Sequence, residues 1–207
     1  MNEVSTFAIA FLTLLLACSG PAAAQSAATG SPTNAVVDAI LRSGTARAFV
    51  DQPVDARVLE AIVQCGIRAP SAQNAQPWHF CVVTNRAMLE KLRSFAPQGA
   101  RDPFFGSSTI IIISGRRGWQ WSQFDCALAC QNMSLAAQSF GLGTHISASA
   151  NRVFNDAATG PGLKKTLGIP DGMDAVAVLV VGVPDTRTDA VASASSRNSA
   201  GVVTYVK

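Results

Sequence analysis

The stretch Ala69-Pro70-Ser71-Ala72-Gln73-Asn74-Ala75-Gln76-Pro77-Trp78-His79-Phe80 ends a helix-like run and opens a strand-like one. Pro70 stops a helix, because its ring clashes with the preceding turn and it has no N–H to donate. Trp78 to Thr84 is rich in β-branched and aromatic side chains, which suit a pleated surface. Between them stand Ser71, Gln73, Asn74 and Gln76, all uncharged and all able to hydrogen-bond. Such residues serve the local backbone at turns. They also suit a planar, neutral ligand edge that both donates and accepts hydrogen bonds.

Working outward, Asp55 is placed to cap a helix over Ala56 to Arg68, whose Val58, Leu59, Ile62 and Val63 recur at helical spacing. Upstream, Asn34 to Leu41 reads as a helix with Thr33 as its N-cap. Downstream, Arg86 to Phe95 is helical in pattern. Thr109 to Ile113 suits a strand covered on both faces. Phe124 to Phe140 carries few charges, so a long helix buried all round is expected, stopped by Gly141-Leu142-Gly143. Lys164 to Leu167 reads as one turn of helix before Gly168 and Pro170, and Ala175 to Val183 as a second apolar strand. Asp185 to Gly201 is polar and loop-like, and Val202 to Val206 looks extended. The elements do not alternate regularly between strand and helix, which favours an α+β layer over a doubly wound sheet. There is no G-x-G-x-x-G after a strand and no Walker loop.

Length and composition bound the rest. The 207 residues suggest one domain with an extension. Apolar residues make up 48% and charged residues 14%, ample material for one core. A net charge of +3, spread along the chain, argues against a nucleic-acid surface. Cys18, Cys65, Cys81, Cys126 and Cys130 are odd in number and form no C-x-x-C pair, so a disulfide framework is not expected. Cys126 and Cys130 share a helix face, but only His79 and His145 could join them at a metal, so they read as small buried hydrophobes. His79 reads as a hydrogen-bonded core or interface residue.

The N-terminus carries mixed signals. Phe7 to Ala17 is a short apolar run followed by Ala22-Ala23-Ala24, the shape of a signal peptide over residues 1–24. Leu15-Leu16-Ala17-Cys18 also resembles a lipobox, which would put a lipid on Cys18 and the protein on a membrane. The acidic start, Met1-Asn2-Glu3-Val4, speaks against export. An exported periplasmic protein or a lipoprotein is expected, with a cytoplasmic location the alternative if the start codon is misplaced. Residues 25–33 read as a linker and 34–207 as the folded domain.

An isoalloxazine ring has the kind of edge that the Ser71 to Gln76 turn could meet, and the turn resembles the signature of the FMN-dependent nitroreductase family. The resemblance covers about Ala35 to Lys207. "GTARAF" (Gly44 to Phe49), followed by Pro53-Val54, is similar to the family's N-terminal segment. "DCALACQNMSLAAQSFGLGT" (Asp125 to Thr144) resembles its central helix, "LGIPDGMDAVAVLVVGVP" (Leu167 to Pro184) its last core strand, and "RNSAGVVTYVK" (Arg197 to Lys207) its C-terminal arm.

The resemblance implies a mixed, mainly antiparallel sheet flanked by helices, in an intertwined homodimer with FMN at each of two interface sites. It implies that Thr45 meets the ribityl chain or phosphate and that Arg47 faces N1/O2 of the ring. The family's first arginine is replaced here by Ser43, which leaves Arg42, Arg68 and Arg197 as phosphate candidates. Pro70, Ser71, Ala72 and Asn74 would come from the other subunit, with Gln76 and Trp78 shaping the turn. Ile146, Ser147, Ala148 and Ser149 would pass beside the N5/O4 edge. Trp119 and Trp121 either border the substrate cavity or pack at its rim. No side chain is expected to be catalytic in its own right, since the flavin carries the redox chemistry. NADH or NADPH would be the donor and a nitroaromatic or quinone the acceptor. A flavin-storage protein, or a specialised flavin-dependent dehalogenase or dehydrogenase, is the alternative.

Overall fold

Ile110, Ile111, Ile112 and Ile113 are all fully buried at the centre of strand β3 (Thr109–Arg116). An unbroken β-branched run of this kind needs cover on both faces of a sheet. In this computed structural model, which describes residues 33–187, 191–192 and 201–206, that cover is present. β3 lies between β2 (Trp78–Val83) and β5 (Met173–Gly182), and β4 (Gly143–Ser147) completes the order β2-β3-β5-β4. Phe80 pairs with Ile113, Ile112 with Val178, and Thr144 with Val181. Every pairing described is antiparallel, so the parallel component of a mixed sheet is not among the described residues.

Alternation along the strands separates two cores. Ile110, Ile112, Val178 and Val180 face Leu89, Leu92, Phe104 and Phe154. Ile111, Ile113, Leu179 and Val181 face Ile62, Cys126, Cys130, Met133 and Ala137. The second core is roofed by α2 (Ala56–Ile67) and α4 (Ser122–Ser139). These helices approach closely at Gly66, where a Cβ would lie 2.8 Å from Met133 Cγ.

Asp55 caps α2, its carboxylate accepting from the Arg57 N–H at 2.8 Å. Helix α1 (Ala35–Arg42) is capped by Asn34, whose Oδ1 accepts from Val36 and Val37, and not by Thr33. The Thr33 hydroxyl is turned instead to the Asp38 carboxylate. α3 spans Arg86–Arg93, with Asn85 as its cap. α6 (Gly160–Thr166) is longer than the single turn expected at Lys164 to Leu167. A four-residue helix, α5 (Arg152–Asn155), precedes it. The Asn151 and Asn155 amides bond Ala175 and Val176 and so close the edge of β5 beyond the end of β4.

α4 is not buried all round. Phe124 is 63% exposed and Phe140 52%, and Trp121 just ahead of the helix is also exposed. β1 (Thr45–Ala46) pairs with β6 (Val191–Ala192), inside the segment expected to be loop. Val202 to Val206 forms no strand in this chain and is exposed. Among the described residues no helix is long and apolar enough to cross a membrane.

Candidate functional site

The turn after α2 is wound unusually. A short 3-10 turn, Ala72–Asn74, follows Ser71, and Gln73, Asn74 and Gln76 all have φ near +50° (55°, 53° and 44°). Left-handed backbone at three non-glycine residues carries strain that neighbouring contacts must offset. Backbone bonds from Asn74 N–H to Ser71 O and from Ala75 N–H to Ala72 O, both 3.0 Å, are joined by contacts to side chains. The Ser71 hydroxyl accepts from the Gln76 N–H at 3.0 Å. The Asp125 carboxylate, fully buried in the first turn of α4, accepts from the Ala72 N–H at 2.9 Å. Gln76 therefore shapes the turn as expected, while Pro70, Gln73 and Asn74 stay exposed on it.

At the other end of α4 a polar cavity of about 210 Å³ opens where β1, α4 and β4 meet. It is lined by Ser43, Gly44, Thr45, Gln131, Ser134, Gln138, Thr144 and Ile146. Not one of these carries a charge. Gln138 organises the wall: its Oε1 accepts from the Gly44 N–H at 2.9 Å, and its Nε2 donates to Thr144 Oγ1 at 2.9 Å and to Ser134 Oγ at 3.2 Å. The Ser134 and Thr144 hydroxyls lie 2.7 Å apart. Such a wall offers donors and acceptors to a neutral heterocycle or a polyol chain. Gln131, Ser134 and Gln138 recur at i, i+3 and i+7, a polar stripe along one face of the helix. That spacing is visible in the sequence, but low charge alone does not separate a helix with such a stripe from one buried all round.

Of the residues singled out from sequence, Thr45 and Ile146 share this cavity. Arg42 ends α1 and Arg68 ends α2, both exposed. Arg47 is exposed beside β1, and its carbonyl accepts from Arg101 Nη2 at 2.7 Å. Ser147 turns to the local backbone, accepting from the Ala150 N–H at 3.1 Å. Ala148 lines a separate cavity of about 1070 Å³ together with Trp119, Arg116 and Ser122. Ser149 lines a third, of about 560 Å³, with Phe95 and Phe104. Trp121 is exposed and lines none of these three. Arg197, the signal-like residues 1–24 and all but Thr33 of the linker lie outside the described residues.

The turn and the small cavity are not brought together within one chain. Asp125 anchors the turn at the start of α4, whereas Gln131 to Gln138 lie about 9 to 20 Å further along at 1.5 Å per residue.

The other chemistry-bearing side chains are quiet. Burial pushes the Cys126 and Cys130 thiols up to about 12, as fits inert core residues. His79 is half-buried, its proton affinity lowered by burial, and its Nδ1 has no partner, so the expected hydrogen bond at that atom is not made. His145 packs tilted against Phe105, with ring centroids 4.4 Å apart. Burial lowers its proton affinity, as do the Arg47 and Arg101 charges, against a hydrogen bond to the backbone of Ala46. Among the described residues no group of three or more His, Cys, Asp or Glu could hold a metal.

An antiparallel four-stranded sheet roofed by two helices, with a neutral polar cavity at its edge, places the chain in the α+β class. The nitroreductase family model matches residues 42–102 and 95–183, and the chain belongs to the nitroreductase family. A protein of Methanothermobacter thermautotrophicus, provisionally named NADH dehydrogenase/NAD(P)H nitroreductase, is 32% identical over 155 residues, covering 72% of this chain and 77% of its own. The nitrobenzene nitroreductase of Ectopseudomonas oleovorans is 26% identical, over 74% of this chain and 89% of its own. A Bacteroides fragilis nitroreductase crystallised with FMN superposes with a TM-score of 0.74 at 24% identity, covering 84% of this chain and all of its own.

Proposed function

We propose that the protein is an FMN-dependent NAD(P)H oxidoreductase, working as a homodimer on small acceptors such as nitroaromatics or quinones. The observation that carries this reading is the uncharged cavity between β1, α4 and β4 in a chain of the nitroreductase family. Its hydroxyl, amide and backbone groups fit the polar edge and ribityl chain of a flavin. No carboxylate lines it to repel the phosphate. Thr45, Gln138 and Thr144 would hold the ribityl chain or ring edge. Arg42, Arg68 and Arg197 are the cations for the phosphate, arginine being suited to it by its forked donors. Bound FMN would supply two-electron transfer between the nicotinamide and the acceptor. Arg47 would place positive charge where the reduced ring gathers electrons.

The homodimer is supported by what one chain leaves open. The strained turn and the cavity lie at opposite ends of α4, so the turn of one protomer is free to complete the site of its partner. Val36, Ile40, Leu41, Phe124 and Phe140 form exposed apolar surface that a second copy would cover.

The test is cofactor capture. Purified protein, supplied with both FMN and FAD, should take up FMN and release it on denaturation, identified by chromatography. Sedimentation should show a dimer. Protein that binds neither flavin would overturn the assignment, and a flavin-loaded monomer would overturn the shared site.

A further inference from the structure

We infer that Asp125 is a positioning residue that ties the Ser71–Gln76 turn to Trp119 on the wall of the large cavity, so that one buried carboxylate sets the shape of both. The inference rests on the proposed flavin-binding reading for its functional consequence, though the tether itself stands on geometry alone. One carboxylate oxygen accepts from the Ala72 N–H at 2.9 Å and the other from the Trp119 indole N–H at 2.9 Å. Asp125 is fully buried, and its carboxylate faces neutral N–H donors where an ion pair would be the usual partner. A buried acidic group satisfied by two specific N–H donors costs desolvation, so its contacts are geometrically demanding.

Both donors sit where position matters. Ala72 begins the turn with three left-handed residues, whose other hydrogen bonds all stay within the turn, as from Asn74 N–H to Ser71 O and from Ala75 N–H to Ala72 O at 3.0 Å. Trp119 lines the cavity of about 1070 Å³, with the Arg116 guanidinium 5.2 Å over its ring. Asp125 thus links the turn expected to complete a flavin site with the wall of a cavity wide enough for a second substrate.

The chemistry makes a specific forecast about exchanging oxygen for nitrogen. In Asp125→Asn one acceptor becomes an NH₂ donor, so either Ala72 or Trp119 meets a donor head-on. Leaving a buried N–H unpaired weakens the arrangement, and FMN affinity should fall by about five- to a hundredfold. Trp119→Phe keeps an aromatic ring, smaller than the indole, and removes the N–H. The double variant D125N/W119F then lets the Asn oxygen turn to Ala72, and FMN should bind more tightly to it than to D125N alone. Tryptophan emission and acceptor KM should change in D125N while kcat for a flavin-loaded variant stays close to wild type.

The experiment is FMN titration of wild type, D125N, W119F and the double variant, together with amide hydrogen exchange at Ala72 in the flavin-free wild type. Rescue in the double variant supports the tether, as does an Ala72 amide protected well beyond that of Gln73, whose N–H has no partner in the turn. A double variant no better than D125N, or wild-type affinity in D125N, overturns it. Should D125N not fold, the wild-type exchange experiment decides, and a fast-exchanging Ala72 amide overturns the tether. Wild type that fails to bind FMN would count against the proposed function, while the exchange result would still judge the tether.

Discussion

Gly143→Ala is expected to damage the cavity through packing alone. A Cβ at Gly143 would stand 2.7 Å from the Ala46 Cβ, 3.1 Å from the Pro184 Cβ and 3.2 Å from Phe49 Cε1. Carbon atoms sit comfortably about 3.5 to 4.0 Å apart. The new methyl therefore demands a shift of about 1 Å. Ala46 cannot yield by changing rotamer, because its Cβ is fixed to the backbone of β1. The strand itself must retreat from β4, carrying Thr45 and Gly44 away from Gln138 and Thr144. Overpacking of this kind costs about 1 to 3 kcal/mol. Urea unfolding should show that loss, and FMN titration should show an affinity weakened at least tenfold. Ala46→Gly in the same chain removes the opposing methyl and should recover most of both. Unchanged stability and affinity in Gly143→Ala, or no recovery in the double variant, would refute the claim that the β1–β4 approach shapes the site.

Gln138→Leu keeps the volume but strands the Gly44 N–H, and should cost about 1 to 3 kcal/mol of stability together with a loss of FMN affinity, read by unfolding and titration. Arg47→Ala should lower the midpoint potential of the bound flavin while oxidised FMN is retained, measured against a reference dye; loss of FMN with no shift in potential would make Arg47 a phosphate ligand instead. The Arg117 guanidinium, helped by Lys164, holds the Asp174 carboxyl down to about 2 against partial burial. Because the folded value lies below the unfolded one of about 3.9, this stabilisation is full above about pH 4 and fades as pH falls through about 2. Asp174→Asn should thus be less stable than wild type at neutral pH, by under about 1 kcal/mol for so exposed a pair, and the gap should close below about pH 2.

How much was legible in the sequence depended on how local each signal was. Ile110 to Ile113 and Val178 to Val181 declare buried strands by composition, and Asp55 declares a cap, because those causes lie within a few residues. β1 and β6 have two residues each and exist only through pairing with one another, so nothing local marks them. α5 is a single turn for the same reason, held by amides that reach across to β5. Low charge over Phe124 to Phe140 does not mean burial on every side: the exposed Phe124 and Phe140 and the Gln131/Ser134/Gln138 stripe are two distinct surfaces. The family resemblance names Thr45 and Ile146, which line one cavity in this chain, and the turn at Ser71. It did not point to Gln138 or Asp125, whose importance is visible only from their long-range partners, Gly44 and Ala72.

The central claim is that this chain uses FMN for redox chemistry with a nicotinamide donor. Anaerobic titration of the FMN-loaded protein with NADH and with NADPH, followed by absorption, tests it most directly. The account predicts that at least one of the two bleaches the oxidised flavin spectrum at about one equivalent per site, and that a nitroaromatic or quinone restores it. A flavin-loaded protein left oxidised by both nucleotides would contradict the account.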